Sequence, residues 1–151
     1  MEFFDISDRK CDGVSLSLDR VSPEDPERGW VPAYHFFIIN EKGEKVGFCD
    51  LRIGHSEGLY YGGNIGYTVY EPYRGRHYAE KAVRLLFELA KMHDMGYLYI
   101  TCQPQNIPSR RTCERLGGEF LGIVDLPEDN DMRVNEGHTH ECVYCFDLNG
   151  C

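Results

Sequence analysis

The sequence predicts an α+β fold in which a mixed central β-sheet is flanked by helices. Three observations carry that expectation. Short aromatic and β-branched runs recur along the chain, two stretches switch to helical spacing, and polar or Gly- and Pro-rich segments separate them. At 151 residues the chain is long enough for one domain with a real core, and residues 1–151 are read as a single domain.

The elements follow in order. GVSLSLDRV (13–21) alternates in places and reads as a first strand. SPEDPERGWVP (22–32) is charged and Pro-rich, hence a loop. AYHFFIIN (33–40) and KVGFCDLRIG (45–54) are apolar runs around a short Gly-containing connection, the pattern of a β-hairpin. LYYGGNIGYTVY (59–70) reads as another strand, with Gly62 and Gly63 marking a bend in its first half. Ala79, Ala82, Val83, Leu86 and Ala90 then fall on one helical stripe, from about His77 to about His93. YLYITC (97–102) is a compact strand. Ser109, Thr112, Cys113 and Leu116 mark a second stripe, with Pro108 at its start and Gly117 at its end. EFLGIVDL (119–126) and ECVYCFDL (141–148) are the last strands, joined by the polar loop PEDNDMRVNEG. The strand–helix–strand unit at 64–102 is expected to be parallel and right-handed.

Composition excludes some functions. There are 25 Asp and Glu against 16 Lys and Arg, a formal net charge of −9, so the basic footprint needed by a duplex nucleic-acid partner is lacking. The stretch GLYYGGNIGYTVY, without Asp, Glu, Lys or Arg, is too short and Gly-rich to span a bilayer as a helix. MEFFDISDRKCDG carries charges where a signal peptide has an apolar run, so a cytoplasmic protein with no membrane partner is expected. Seven cysteines, Cys11, Cys49, Cys102, Cys113, Cys142, Cys145 and Cys151, suit reduced thiols better than a disulfide framework.

One stretch points to chemistry. YRGRHYAEKAVRLL (73–86) places two arginines and a histidine at a helix start in an acidic chain. A helix N-terminus exposes unpaired N–H groups and positive dipole charge, so the stretch reads either as a phosphate seat or as a solvated basic first turn.

IGYTVYEPYRGRHYAEKAVRLL, followed by ITCQPQNIPSRRTCERLGG, resembles the GNAT superfamily of N-acetyltransferases, nearest the subgroup that includes ribosomal-protein N-terminal acetyltransferases. The resemblance covers roughly residues 31 to 148. It implies the GNAT (acyl-CoA N-acyltransferase) fold and acetyl-CoA as co-substrate. The family signature falls on Arg74, His77 and Ala79, and implies that the backbone of Gly75, Arg76, His77, Tyr78, Ala79 and Glu80 receives the CoA pyrophosphate. Tyr67, Thr68 and Val69 would pair with the pantetheine arm and the acetyl carbonyl. Asn106 would contact the thiol-end arm, and Ser109 would open the next helix near the cofactor. The acceptor implied is a primary amine, either a protein N-terminus or a small cationic amine. The alternative is a catalytically silent CoA-binding sensor or scaffold.

The chain departs from the family pattern at three positions. His77 replaces the central glycine of the signature. Cys113 stands where many relatives carry a Tyr that protonates the leaving thiolate, and Thr101 where some carry a Glu. Cys113 is therefore the acid candidate, weighed against packing beside Leu116. His55 is the leading base candidate, with His35, Asp50, Glu71 or a water chain beside it. The tail HTHECVYC (138–145) offers His138, His140 and Cys142 on one strand face, but the spacing matches no common zinc motif and no metal is expected. Asp125, Glu128, Asp129, Asp131 and Glu136, against Arg133, form either an acidic rim favouring a cationic acceptor or a solvated loop. The segment 22–32 is shorter than the helical pair many relatives place there. The acceptor side is then open to a peptide end or to completion by a second copy of the chain in a homodimer.

Overall fold

In chain order the strands are β1 (Ser15–Ser22), β2 (Ala33–Ile39), β3 (Lys45–Arg52), β4 (Ile65–Val69), β5 (Tyr97–Cys102), β6 (Glu119–Asp125) and β7 (His140–Asp147). The helices are α1 (Glu57–Gly62), α2 (Tyr78–Met92), α3 (Ile107–Arg115) and α4 (Asp131–Glu136), with a single 3₁₀ turn at Glu71–Tyr73. The computed structural model describes residues 2–149; Cys151 lies outside them. Two compact units result, Met1–Gly54 with Ile65–Met95, and His55–Asn64 with Gly96–Cys151.

The first unit is a four-stranded antiparallel sheet in the order β1-β2-β3-β4, and α2 packs on it. The strands alternate, so Tyr34, Phe36 and Ile38 of β2 are buried on the helix side while His35 and Phe37 are partly exposed on the other. Of the apolar stripe predicted for α2, Ala82, Val83, Leu86 and Ala90 are fully buried and Ala79, in the first turn, is partly exposed. Tyr34 carries a polar group into this core and satisfies it twice. Its hydroxyl accepts from the Phe4 N–H at 2.8 Å and shares a hydrogen bond with His93 Nε2 at 2.6 Å.

In the second unit β7 lies between β5 and β6, both pairs antiparallel. Leu98 and Ile100 of β5 and Tyr144 and Phe146 of β7 are buried. Gly118 lets the chain pass against Phe146, whose Cζ would stand 2.6 Å from a Cβ there.

Three expectations are corrected. Residues 59–62 are helical, because Ser56 caps α1 by accepting from the Leu59 N–H at 3.2 Å and Gly63 stops it at φ 81°. The loop 127–137 contains α4, capped by Asn130 through the Met132 N–H at 2.9 Å. The parallel pairing expected within 64–102 is replaced: among the described residues every ladder is antiparallel, and β5 pairs with β7. Asn64 accounts for part of this. It meets Tyr99 with its own N–H on the Tyr99 carbonyl at 2.7 Å and its side-chain Oδ1 on the Tyr99 N–H at 2.9 Å. A side-chain amide thus takes the place that the next backbone carbonyl would hold in a ladder. The α+β class with flanking helices stands.

Two outcomes are expected. A Cβ at Gly47 would collide with the Thr68 carbonyl oxygen and lie 3.0 Å from Val69 Cα. Gly47→Ala should therefore cost about 1–3 kcal/mol in denaturant unfolding. Burial holds the imidazoles of His35 and His93 below the ordinary histidine range. Both lowered groups bind fewer protons folded than unfolded. Their contribution to stability is then complete above pH ~6.5 and lost as pH falls through their folded values. Unfolding midpoints across that window should drop on acidification, and His93→Gln should flatten the slope.

Candidate active site

The site is built first from the edge of the four-stranded sheet. Among the described residues β4 pairs only with β3 in this sheet, as at Gly47↔Val69, Phe48↔Thr68 and Cys49↔Tyr67. The Tyr70 N–H donates to the Val46 carbonyl at 2.8 Å. In an antiparallel ladder bonded residues alternate, so this bond turns the main-chain groups of Val69 and Tyr67 to the outer edge. Arg74 Nε indeed takes the Val69 carbonyl at 3.0 Å. The Val69 N–H points the same way, while the Thr68 side chain is exposed on the sheet face.

After β4 the chain makes the 3₁₀ turn, then a tight turn through Arg74, Gly75, Arg76 and His77 into α2. All four are exposed. Gly75 has φ 86° and His77 φ 62°, both left-handed. Gly75 has nothing within 4 Å of where a Cβ would stand, so its open side is clear. His77, in place of the family glycine, adopts the conformation a glycine would favour. It is the N-cap residue of α2 but makes no side-chain capping bond. The first intrahelical bond here runs from the Lys81 N–H to the His77 carbonyl, 3.2 Å. The N–H groups of Tyr78 and Ala79 precede that first bond, so the helix itself supplies no partner for them. The Tyr78 ring is buried beneath the turn, Ala79 is partly exposed, and Glu80 is paired with Arg84 at 3.7 Å. The sum is a turn of main-chain donors flanked by two guanidinium groups, suited to an anion.

In the second unit Asn106 caps α3, its Oδ1 accepting from the Ser109 N–H at 3.3 Å. The Ser109 side chain hydrogen-bonds the Cys102 thiol, whose pKa burial pushes up to about 11. Cys113 sits on the inner face of α3 at 0% exposure. His55 precedes α1, stacks on Tyr97 at 4.1 Å and places Nε2 2.9 Å from the Tyr97 carbonyl. A carbonyl can only accept, so in the neutral ring Nε2 carries the proton and Nδ1 keeps its lone pair.

The tail residues find other partners. His140 Nε2 lies 2.7 Å from Asp125, and His138 Nδ1 lies 3.3 Å from Glu141. β7 begins at His140, so His138 does not share a strand face with His140 and Cys142 as expected. Cys142 opposes Cys102 across the sheet, their side chains hydrogen-bonded, and Cys145 opposes Tyr99 from the other face. All six described cysteines are free. No described helix is long and apolar enough to cross a membrane.

Reading the sequence overlooked Asn40, Glu44 and Tyr73, which bind beside the turn. The one trace of them was the short connection EKGEK, taken only as a hairpin loop.

An edge strand running into a helix start without a side-chain cap, in an α+β frame, leaves a turn of main-chain donors at the surface. The family follows from the sequence itself: the acetyltransferase (GNAT) domain matches residues 12–119, and the chain belongs to that family. No curated protein sequence matches it. Among solved structures it is similar to the microcin C7 self-immunity acetyltransferase MccE, in complex with acetyl-CoA and AMP. The two are 21% identical, with 76% of this chain and 61% of that chain covered and a TM-score of 0.59. It is also similar to RimL, the ribosomal L7/L12 α-N-protein acetyltransferase, in complex with coenzyme A (20%, 83% and 66% covered, TM-score 0.61). A third is the ribosomal-protein-S5-alanine acetyltransferase from Vibrio fischeri (16%, 78% and 63% covered, TM-score 0.60). At these identities the likeness is one of fold, and this chain spans less than two thirds of each of those chains.

His77→Gly should stabilise the protein by about 0.5–1 kcal/mol. It removes a left-handed side chain costing about 1–2 kcal/mol and returns part of that as glycine entropy. Guanidinium unfolding of the two proteins checks this, and a destabilised variant would show the imidazole holding the turn.

Proposed function

We propose that this chain is an N-acetyltransferase that takes an acetyl group from acetyl-CoA and delivers it to a primary amine. The acceptor is a protein N-terminus or a small cationic amine. Family membership supports the reaction class, and two fold neighbours carry acetyl-CoA or coenzyme A in their structures. The match runs unbroken through 12–119, across residues of both units, which supports one functional domain. The observation that carries the reading is the turn 74–77, with its left-handed Gly75 and His77, clear outer side and absent side-chain cap.

Bound acetyl-CoA would supply a thioester-activated acetyl group. In this reading the N–H groups from Gly75 to Glu80, with Arg76, receive the pyrophosphate. Arg74 acts from its anchor on Val69. The outward main chain of Tyr67 and Val69, with Thr68 between them, receives the pantetheine arm, and the Val69 N–H donates to the acetyl oxygen. Asn106 and Ser109 are the proposed contacts for the thiol end of the arm. His55, with a free Nδ1, is the proposed base. Cys113 is the acid candidate from sequence, and its complete burial weighs toward packing.

Calorimetric titration with acetyl-CoA, then acetylation of an amine panel read by mass spectrometry, tests the reading. Micromolar binding followed by turnover is expected; absence of binding overturns it, and binding without turnover leaves the silent sensor or scaffold. Arg74→Ala should weaken CoA binding, and Gly75→Val more so, since a β-branched residue at φ 86° strains the turn and fills its clear side. Cys113→Ala should keep kcat within about 2-fold; a loss of about 10²-fold or more would make the thiol the acid.

A further inference from the structure

The turn 74–77 is bracketed by two tyrosines, Tyr73 before it and Tyr78 after it. Both hydroxyls reach the same place, the β2–β3 connection at residues 40–44. Tyr73 donates to Glu44 Oε2 at 3.2 Å. Tyr78 donates to the two oxygens of Glu41 at 3.4 and 3.5 Å and accepts from Asn40 Nδ2 at 3.5 Å. Asn40 is buried, at 4% exposure, and is satisfied on every side. Its Nδ2 also donates to Glu44 Oε1 at 3.1 Å, and its Oδ1 accepts from the N–H groups of Lys42 and Glu44 at 3.0 and 2.9 Å. The connection is thus rigid, and both ends of the strained turn are tied to it.

The charges make this arrangement informative. Glu41 and Glu44 stand beside a turn that is to receive phosphate, and by field alone they oppose an anion there. Lys42 and Arg76 face Glu44. Both carboxylates are, however, engaged as acceptors for the flanking tyrosines. The connection therefore ties both flanks of the turn although its charge is unfavourable to an anion.

We propose that the β2–β3 connection is the template of the phosphate-receiving turn, with Tyr73, Tyr78, Asn40 and Glu44 as positioning residues that hold the turn 74–77 with Gly75 and His77 left-handed. This rests on the acetyl-CoA reading for its ligand, but the positioning itself can be read in the free protein. A net hydrogen bond of this kind changes an equilibrium by roughly three- to tenfold.

The experiment uses Tyr73→Phe, which removes one hydroxyl and no charge, with Tyr78→Phe and Glu44→Gln beside it. Two quantities are measured: dissociation constants for CoA and for phosphate-free pantetheine, and amide hydrogen exchange at residues 75–77 without ligand. Tyr73→Phe should weaken CoA roughly three- to tenfold, leave pantetheine within about 2-fold, and speed exchange at 75–77. The double variant Tyr73→Phe/Glu44→Gln should be no weaker than the worse single one, because the two share an interaction. Equal losses for CoA and pantetheine, exchange unchanged at 75–77, or tighter CoA binding in Glu44→Gln would each overturn the proposal. If the native chain binds no CoA, the acetyl-CoA reading fails, and the exchange measurement still decides whether the tyrosines hold the turn.

Discussion

An antiparallel ladder bonds only every second residue of an edge strand, and that constraint organises this protein. β4 is hydrogen-bonded to β3 alone within its sheet, so Val69 and Tyr67 turn their main-chain groups outward. Exposed edges invite indiscriminate pairing and are usually blunted. Here the strand is five residues long and its last carbonyl is taken by Arg74 from the following turn. The group that finishes the strand therefore also anchors the turn that starts α2. Gly47 belongs to the same device, because only a residue without a Cβ lets β3 come this close to Thr68 and Val69.

The turn concentrates backbone strain in four residues. Two of them are left-handed, and one of the two is a histidine rather than a glycine. A short turn of this shape keeps helix-start N–H groups on the outside, where a looser connection would fold a side chain over them. The strain is sustained because the turn is fixed at both ends, by the Arg74 bond to Val69 and by the tyrosine bonds to the β2–β3 connection. A chain with a formal net charge of −9 can still present such a seat, since what a ligand meets is the local arrangement of donors and guanidinium groups.

Much of this was legible in the sequence. The α2 stripe and the 33–52 hairpin were plain because each repeats one period long enough to be unambiguous. The turn was legible through Arg74, Gly75 and Arg76. What failed to show was short or long-range. α1 was mistaken for strand because LYYGG is apolar and aromatic, and the decisive residue, Ser56, acts through a cap outside the run. α4 was hidden by polarity, with its signal again in the cap, Asn130. The antiparallel sheet of β5, β6 and β7 depends on pairings between residues distant in sequence, as at Cys102 and Cys142, which no local pattern records. Asn40 and Tyr73 were invisible for the same reason. Cys113 was read correctly as lying on the helical stripe, yet that same placement buries it completely.

The chemistry of the proposed reaction turns on the proton of the acceptor. Thr101 offers no carboxylate base, and the proposed base, His55, holds Nε2 on a carbonyl and has Nδ1 for a proton. The fraction of acceptor that is neutral in solution then matters directly. An α-amine with a pKa near ~8 is about a quarter neutral at pH 7.5, whereas a lysine amine near ~10.4 is about 0.1% neutral. That is a difference of about 200-fold before any contact is made, reduced in part because the more basic amine is the better nucleophile. In the proposed reaction, the scarcity of neutral lysine-like amine therefore weighs toward chain N-termini. An acceptor of lysine-like basicity would need a charge-selective surface to offset the deficit. The acidic residues from Asp125 to Asp129 are of the right sign for that, but a field that attracts an ammonium also stabilises its proton. The two demands conflict, and the conflict favours the α-amine among the acceptors proposed.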